Sequence, residues 1–272
     1  MPVSLLLVEG KLDVEVLSPL LWYLTAGMAI AAGGSKGSLK PRCRDEREKP
    51  KPVVACYVRD RDFDFDPPDD TSRPTPDSKL GWRWSRHELE NYLLEPEVLA
   101  GTVGCSTMEA ETALQRAAAQ ILHYTAARWS VGIARRSLPT FKDLPTRPPS
   151  LGEGIKIPEP QARSLDAART WALEHIGAFR ELVRPVLAEA TIDGNFTAQM
   201  GVLSGLTGVT EVLVWHSGKD LLAALAPAFY RSVGNNPTVL QRRLAAWVRE
   251  HPERMLELVP EWRALLDLLR GE

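Results

Sequence analysis

Residues 3–13 read VSLLLVEGKLD and residues 53–62 read VVACYVRDRD. In each stretch a short apolar run stops at a carboxylate, near Glu9 in the first and at Asp60 in the second. Runs of that length, rich in leucine and β-branched residues, suit strands buried on both faces inside a parallel sheet. Beyond Gly10 the periodicity changes. Leu12, Val16, Leu17, Leu20, Leu21 and Leu24 recur at helical spacing over residues 11–26, the stripe of a helix that packs on a sheet. Residues 28–32 (MAIAA) predict a second strand, ending at Gly33-Gly34. Strand, helix, strand, loop, strand is the order of an α/β fold with right-handed crossovers.

Residues 35–52 are polar and ended by prolines, which predicts a stunted helix or a loop. Residues 66–80, dense in proline and aspartate, read as a mobile excursion. GWRW at 81–84 predicts a short strand. Ser85, with Glu88 three residues on, fits a capping box, so a helix is expected from there to about Leu94. Past Ser106 the chain becomes helical: residues 107–131 and 164–192 carry helix patterns, separated by a proline-rich linker at 139–163. VTEVLVW at 209–215 predicts a further strand with His216–Lys219 as its exit turn, followed by helices over 219–229, 236–250 and 253–270. The expected organisation is a core at 1–105, a mostly helical insertion at 106–208, and a returning strand with a helical tail at 209–272.

The composition is that of an ordinary globular protein. The 272 residues are 44% hydrophobic and 25% charged, enough for a sizeable core. A net charge of −2 neither favours nor excludes nucleic acid, because such an enzyme needs only a local basic lane. Cys43, Cys56 and Cys105 form no CxxC pair and no zinc spacing, which suits a reduced cytoplasmic protein. The N-terminal apolar run is too short for a signal segment or a membrane span, and no other stretch reaches the roughly 18 apolar residues a span needs.

Ligands of open α/β sheets bind at the carboxyl ends of strands, where Glu9 and Asp60 are expected. Asp13 lies one helical turn beyond Glu9 and can point back, while Gly10 leaves room for a phosphate or a water. The plainer reading is a solvated strand end and a first-turn acid favoured by the helix dipole. Asp60 and Asp62, two apart in extended chain, project to one side and can share a divalent cation; Mg²⁺ prefers such oxygen ligands and keeps several waters. A solvated acidic loop explains Asp64 to Asp70 well, but not why an apolar run ends directly in DxD. In HELENY at 87–92, Glu88 and Glu90 would face different sides of a helix, so one of them faces the metal. Glu90, with Asn91 beside it, is the choice, although the spacing leaves Glu88 open. A plainer assignment makes Glu88 a cap and Glu90 half of a surface ion pair. Lys219 in WHSGKD follows a glycine turn and can counter charge on a phosphate. Neither this motif nor GGSKGS at 33–38 is a Walker A loop. The five histidines lack zinc spacing, no GxSxG elbow is present, and the tryptophans sit on apolar faces. Arg242, Arg243, Arg249 and Arg254 could meet a partner or a phosphate backbone, though a solvated helix face is the commoner meaning of such a run.

Taken together, VEGKLD at 8–13, RDRD at 59–62, ELENYLL at 88–94 and SGKD at 217–220 resemble the TOPRIM domain. The likeness is closest to the OLD-family TOPRIM nucleases and to stand-alone bacterial proteins of the DUF4435 type. It covers roughly residues 1–105 and 209–229. The resemblance implies a TOPRIM fold, with Glu9 as the first glutamate, Asp13 as the acid after it, Asp60 and Asp62 as the DxD pair, Glu90 as the downstream glutamate and Lys219 as the downstream lysine. It implies a cofactor of Mg²⁺ or Mn²⁺, two ions, and hydrolysis of phosphodiester bonds in DNA or RNA, tRNA included. Some such proteins are anti-phage effectors beside a separate ABC-type ATPase, as in the PARIS system, so an ATPase subunit is an expected partner; a homodimer is left open. Two rivals remain: an RNA-maturation nuclease, and a non-catalytic binding subunit of an ATPase complex.

Overall fold

The run at 3–8 forms β1 (Leu5–Val8), and α1 (Lys11–Leu24) leads from it to β2 (Ala29–Ala32). Then α2 (Lys36–Glu48) leads to β3 (Ala55–Arg59), and β4 (Thr75–Ser78) and β5 (Gly81–Arg83) complete the sheet. The structure is a computed structural model that describes residues 2–24, 28–140 and 164–271. The strand order is β2-β1-β3-β5-β4. All neighbours are parallel except β4 with β5. β1 is an inner strand, with Leu5 opposite Ala29 on one side and Ala55 on the other.

Alternation along the strands feeds two cores. Leu6, Val8 and Val58 join Val16, Leu17, Leu20 and Leu21 of α1. Leu7, Ala55 and Tyr57 meet Leu39 and Cys43 of α2. The first core is the larger, because the C-terminal helices complete it. The helices that follow β5 are α3 (Glu90–Leu93), α4 (Pro96–Val103), α5 (Thr107–Ser137), α6 (Leu165–Val183), α7 (Glu189–Ser204) and α8 (Val209–Trp215). Next come α9 (Gly218–Leu225), α10 (Tyr230–Val233), α11 (Pro237–Glu250), α12 (Pro252–Leu258) and α13 (Pro260–Arg270). Leu240, Leu244 and Val248 of α11 and Trp262, Leu265 and Leu269 of α13 are all buried in that core. Each such side chain contributes on the order of 1.5–3 kcal/mol when fully buried. The Val3 N–H donates to the Leu269 carbonyl at 2.8 Å, tying the C-terminal helix to the strand that carries Glu9.

The chain divides into two compact units, Met1–Thr125 with Val202–Glu272, and Ala126–Gly201. The first holds the sheet and both cores. In the second, the helices bury Trp129 and Ser130, and the Ser130 hydroxyl donates to the Ile192 carbonyl at 2.8 Å. No helix among the described residues is long and apolar enough to cross a membrane.

Several local expectations are corrected. Residues 209–215 are the helix α8, not a strand: Glu211 accepts the N–H groups of Thr207 and Gly208 at 3.0 and 2.9 Å and so closes a helical N-terminus. Lys219 therefore reaches the sheet unit's rim on a helix start. Residues 36–48 form a full helix, α2, because Leu39 and Cys43, one turn apart, suffice to hold it on the sheet. The excursion at 66–80 contains the edge strand β4. The helix expected from Ser85 begins only at Glu90, because Ser85 is occupied elsewhere: its N–H and hydroxyl both donate to Glu261 of α13, at 2.7 and 2.6 Å. The helix expected over 164–192 is broken into α6 and α7. From residue 141 to 163, the linker lies outside the described residues.

Candidate functional site

Because β1 and β3 are parallel neighbours, Glu9 and Asp60 leave the sheet at the same edge. They are coupled: the Asp60 N–H donates to Glu9 Oε1 at 3.1 Å. Asp13, in the first turn of α1, accepts the Gly10 N–H on Oδ2 at 3.0 Å. That is the helix-start role of a first-turn acid, yet Asp13 is only 8% exposed and lines a pocket of about 340 Å³ with Glu9, Ser35, Asp60, Glu90 and Lys219.

The chain after Asp60 is not extended. Arg61 is buried, and its guanidinium donates to the carbonyls of Ser85, Phe65 and Val214 at 2.9, 2.7 and 2.5 Å. Asp62 then takes a positive φ of 50°, a conformation aspartate tolerates better than most side chains, and starts a 3₁₀ turn through Asp64. Its N–H donates to the His87 carbonyl at 3.0 Å. The turn, rather than strand alternation, keeps Asp62 beside Asp60: oxygens of Asp60, Asp62 and Glu88 lie within 4.8 Å of one another. Lys36 ion-pairs with Asp62 and with Asp64, the latter at 2.6 Å.

Glu88 precedes the helix and so is free to turn toward α9. It accepts the Ser217 hydroxyl at 2.7 Å, the Lys219 N–H at 2.9 Å and the Lys219 ammonium at 2.5 Å. Lys219 lies 3.7 Å from Glu90, which also accepts the Gln241 amide at 2.9 Å. Asn91 locks the two segments together. Its Oδ1 accepts from the N–H groups of Glu88 and Gly218, and its amide donates to the His216 carbonyl. The approach is so close that a Cβ on Gly218 would fall 2.5 Å from the Asn91 nitrogen.

Charge explains the proton affinities. Burial raises the Asp60 carboxyl well above its ordinary value, helped by the charges of Asp13 and Glu9. Burial likewise raises Glu9 and Asp13, against the backbone N–H each accepts, and lifts Glu90 to about 7 despite Lys219. For Glu88 burial pushes upward too, but Lys219 and its hydrogen bonds outweigh it and the carboxyl sits below its usual value. Lys36 shows the same balance: burial works against its charge, yet Asp62 and Asp64 hold it in the charged form.

No protein-family model and no curated protein matches this chain.

Of the residues expected from sequence, Glu9, Asp13, Asp60, Glu90 and Lys219 line one pocket. Asp62 stands at its side with Asp60 and Glu88. Of the two glutamates left as alternatives, Glu90 lines the pocket, Glu88 stands with Asp60 and Asp62, and both carboxylates meet Lys219. Lys36, Ser217 and Gln241 were not foreseen as site residues. A divalent cation of the hard class fits. The donors are all oxygen, and Asp60 Oδ1 is buried without a hydrogen-bond partner, a costly arrangement for a carboxylate unless a cation complements it.

Proposed function

We propose that this chain is a Mg²⁺- or Mn²⁺-dependent phosphodiesterase, an endonuclease acting on DNA or RNA through a TOPRIM-like centre. The observation that carries the proposal is the partnerless buried oxygen of Asp60, set among Glu9 and Asp13, which also lack an ion-pair partner among the described residues. Asp60 would hold the metal, between Glu9, Asp13 and Glu90, which line the pocket with it, and Asp62 and Glu88, whose oxygens lie within 4.8 Å of its own. When bound, the metal supplies Lewis-acid stabilisation of phosphate charge and acidifies water. Lys219 supplies the fixed positive charge. Its side chain is 59% exposed, so it can meet a phosphate at the pocket mouth while Glu88 orients its ammonium. Glu88 and Asn91 are positioning residues, because they act through Lys219 and the 217–219 turn.

A role in cytoplasmic anti-phage defence, with a separate ABC-type ATPase as partner, is part of the same proposal and rests on the motif likeness. The test is cleavage of plasmid DNA and of tRNA by wild type and Asp60→Ala, with Mg²⁺, with Mn²⁺ and with chelator. We expect metal-dependent cleavage by the wild type and a loss of at least about 100-fold in the variant, on the scale of losing a directly acting charged group. Equal cleavage by both proteins sinks the proposal. Metal binding with no cleavage of either substrate favours a binding subunit.

A further inference from the structure

The carboxylates in and beside the pocket fall into three groups. Asp62 and Asp64 share the ammonium of Lys36. Glu88 and Glu90 share the ammonium of Lys219. Glu9 and Asp13 each accept one backbone N–H, Asp60 keeps one oxygen without a partner, and none of the three has a cation within ion-pair distance among the described residues.

Lys36 is held in place. It opens α2 immediately after the Gly33-Gly34 turn. A Cβ on Gly33 would lie 2.3 Å from the Leu39 side chain, and Gly34 has φ +89°, a conformation that suits glycine. The Ser38 hydroxyl donates to the carbonyls of Gly33 and Ser35 at 2.8 and 2.6 Å. The lysine side chain is 28% exposed, and Asp62 and Asp64 are 33% and 22% exposed, so the contact is partly withdrawn from water rather than a loose surface pair.

We propose that Lys36 is the resident cation of the Asp62–Asp64 side and that the pocket therefore takes one divalent ion, on the Asp60 side, in place of the two that the OLD-like resemblance implies. The inference rests on the metal-site reading above and deepens it. An ammonium cannot ligate a metal, because it has donors and no lone pair. A second divalent ion would have to evict it, leaving a part-buried positive charge without its partners, or lie against it with like charge in a medium that screens poorly. Charge-assisted bonds to two carboxylates make eviction costly. The lysine also holds the 62–64 turn in place when no metal is bound.

The experiment counts ions. Titration of the intact chain with Mn²⁺ by calorimetry gives the stoichiometry, and low-temperature electron paramagnetic resonance distinguishes an isolated ion from an exchange-coupled pair. We expect one ion per wild-type chain with an uncoupled six-line spectrum, the same for Lys36→Arg, and two coupled ions for Lys36→Met, with circular dichroism confirming the fold of each variant. Two coupled ions in the wild type overturn the inference and leave the metal reading intact. No bound ion in the wild type overturns the metal reading itself. A folded Lys36→Met that still takes one ion overturns the claim that the lysine excludes the second. Should that variant not fold, the wild-type count alone decides.

Discussion

Two sides of one pocket handle negative charge in opposite ways. At the ends of β1 and β3, Glu9 and Asp60 are joined by Asp13 from α1, and burial raises the proton affinity of all three. Across the pocket, Glu88 is just as deeply set, yet its carboxyl is held below its ordinary value by Lys219 and its hydrogen-bond donors. The difference lies in how directly each charge is met. Glu9 and Asp13 each accept one backbone N–H and feel Lys36 and Lys219 only beyond ion-pair distance, and Asp60 Oδ1 has no partner, whereas Glu88 holds the Lys219 ammonium and the donors of a turn 129 residues away in sequence. A carboxylate left without a cation by the fold is available to a ligand; one already paired serves the architecture.

The largest effect should come from acid, which acts with opposite sign on the two sides. Raised carboxyls such as Asp60 bind protons more readily folded than unfolded, so their repulsion is relieved as pH falls. Glu88 behaves conversely: its stabilisation is present above the unfolded value and is lost as pH drops through its lowered folded value. His216, behind the same turn, adds to that loss. It is buried, which lowers its pKa from 6.5 to about 4 despite its contact with the Val212 carbonyl. Above pH 6.5 it contributes nothing to the pH dependence. Between 6.5 and 4 only the unfolded chain takes the proton, and stability falls by on the order of 3 kcal/mol. Urea denaturation of wild type and His216→Phe at about pH 7 and about pH 4.5 should show the difference between them moving by about 2–3 kcal/mol in favour of the variant at the lower pH. An unchanged difference would mean that His216 titrates normally in the fold.

Next in size is the seam between the sides. Gly218→Ala would drive a Cβ to 2.5 Å from the Asn91 nitrogen and 2.8 Å from Glu90, where backbone cannot give way cheaply. Overpacking of this kind costs about 1–3 kcal/mol. Gly177→Ala is the control, since nothing lies within 4 Å of its Cβ and alanine favours a helix interior. Thermal melts should place the first well below wild type and the second at or above it. Equal melting temperatures would show that the 217–219 turn does not pack tightly on Asn91.

The same contrast explains what could be read from sequence. Glu9 and Asp60 were legible because strands buried on both faces demand unbroken apolar runs, and the residue where the run stops marks the rim. Helix α2 was not, because its buried contact reduces to Leu39 and Cys43 in a stretch otherwise dominated by charge. VTEVLVW satisfied a strand pattern until Glu211 closed a helix start. Periodicity over seven residues cannot separate a buried helix from a strand. Glu88 imitated a capping box, and nothing local reveals that Ser217 and Lys219 are its partners. Asp62 was placed beside Asp60 by extended-chain geometry, whereas a positive-φ turn puts it there.

The smallest effect is the sharpest test of the contrast, because it concerns sign. In metal-free protein Asp60→Asn removes a buried carboxyl that no cation meets within ion-pair distance among the described residues, and should raise stability by about 1 kcal/mol, the gain expected when a strained functional group is neutralised. Glu88→Gln removes a charge that the fold does compensate, and should lower stability by about 1 kcal/mol. The loss stays small because Lys219 is largely exposed and water screens the pair. Guanidinium denaturation in chelator at neutral pH measures both. If the two variants shift the midpoint in the same direction, the pocket's acids do not divide into compensated and uncompensated sides. With Mg²⁺ added, wild type should gain stability in proportion to binding while Asp60→Asn gains little, so the order of the two proteins reverses once metal is in excess.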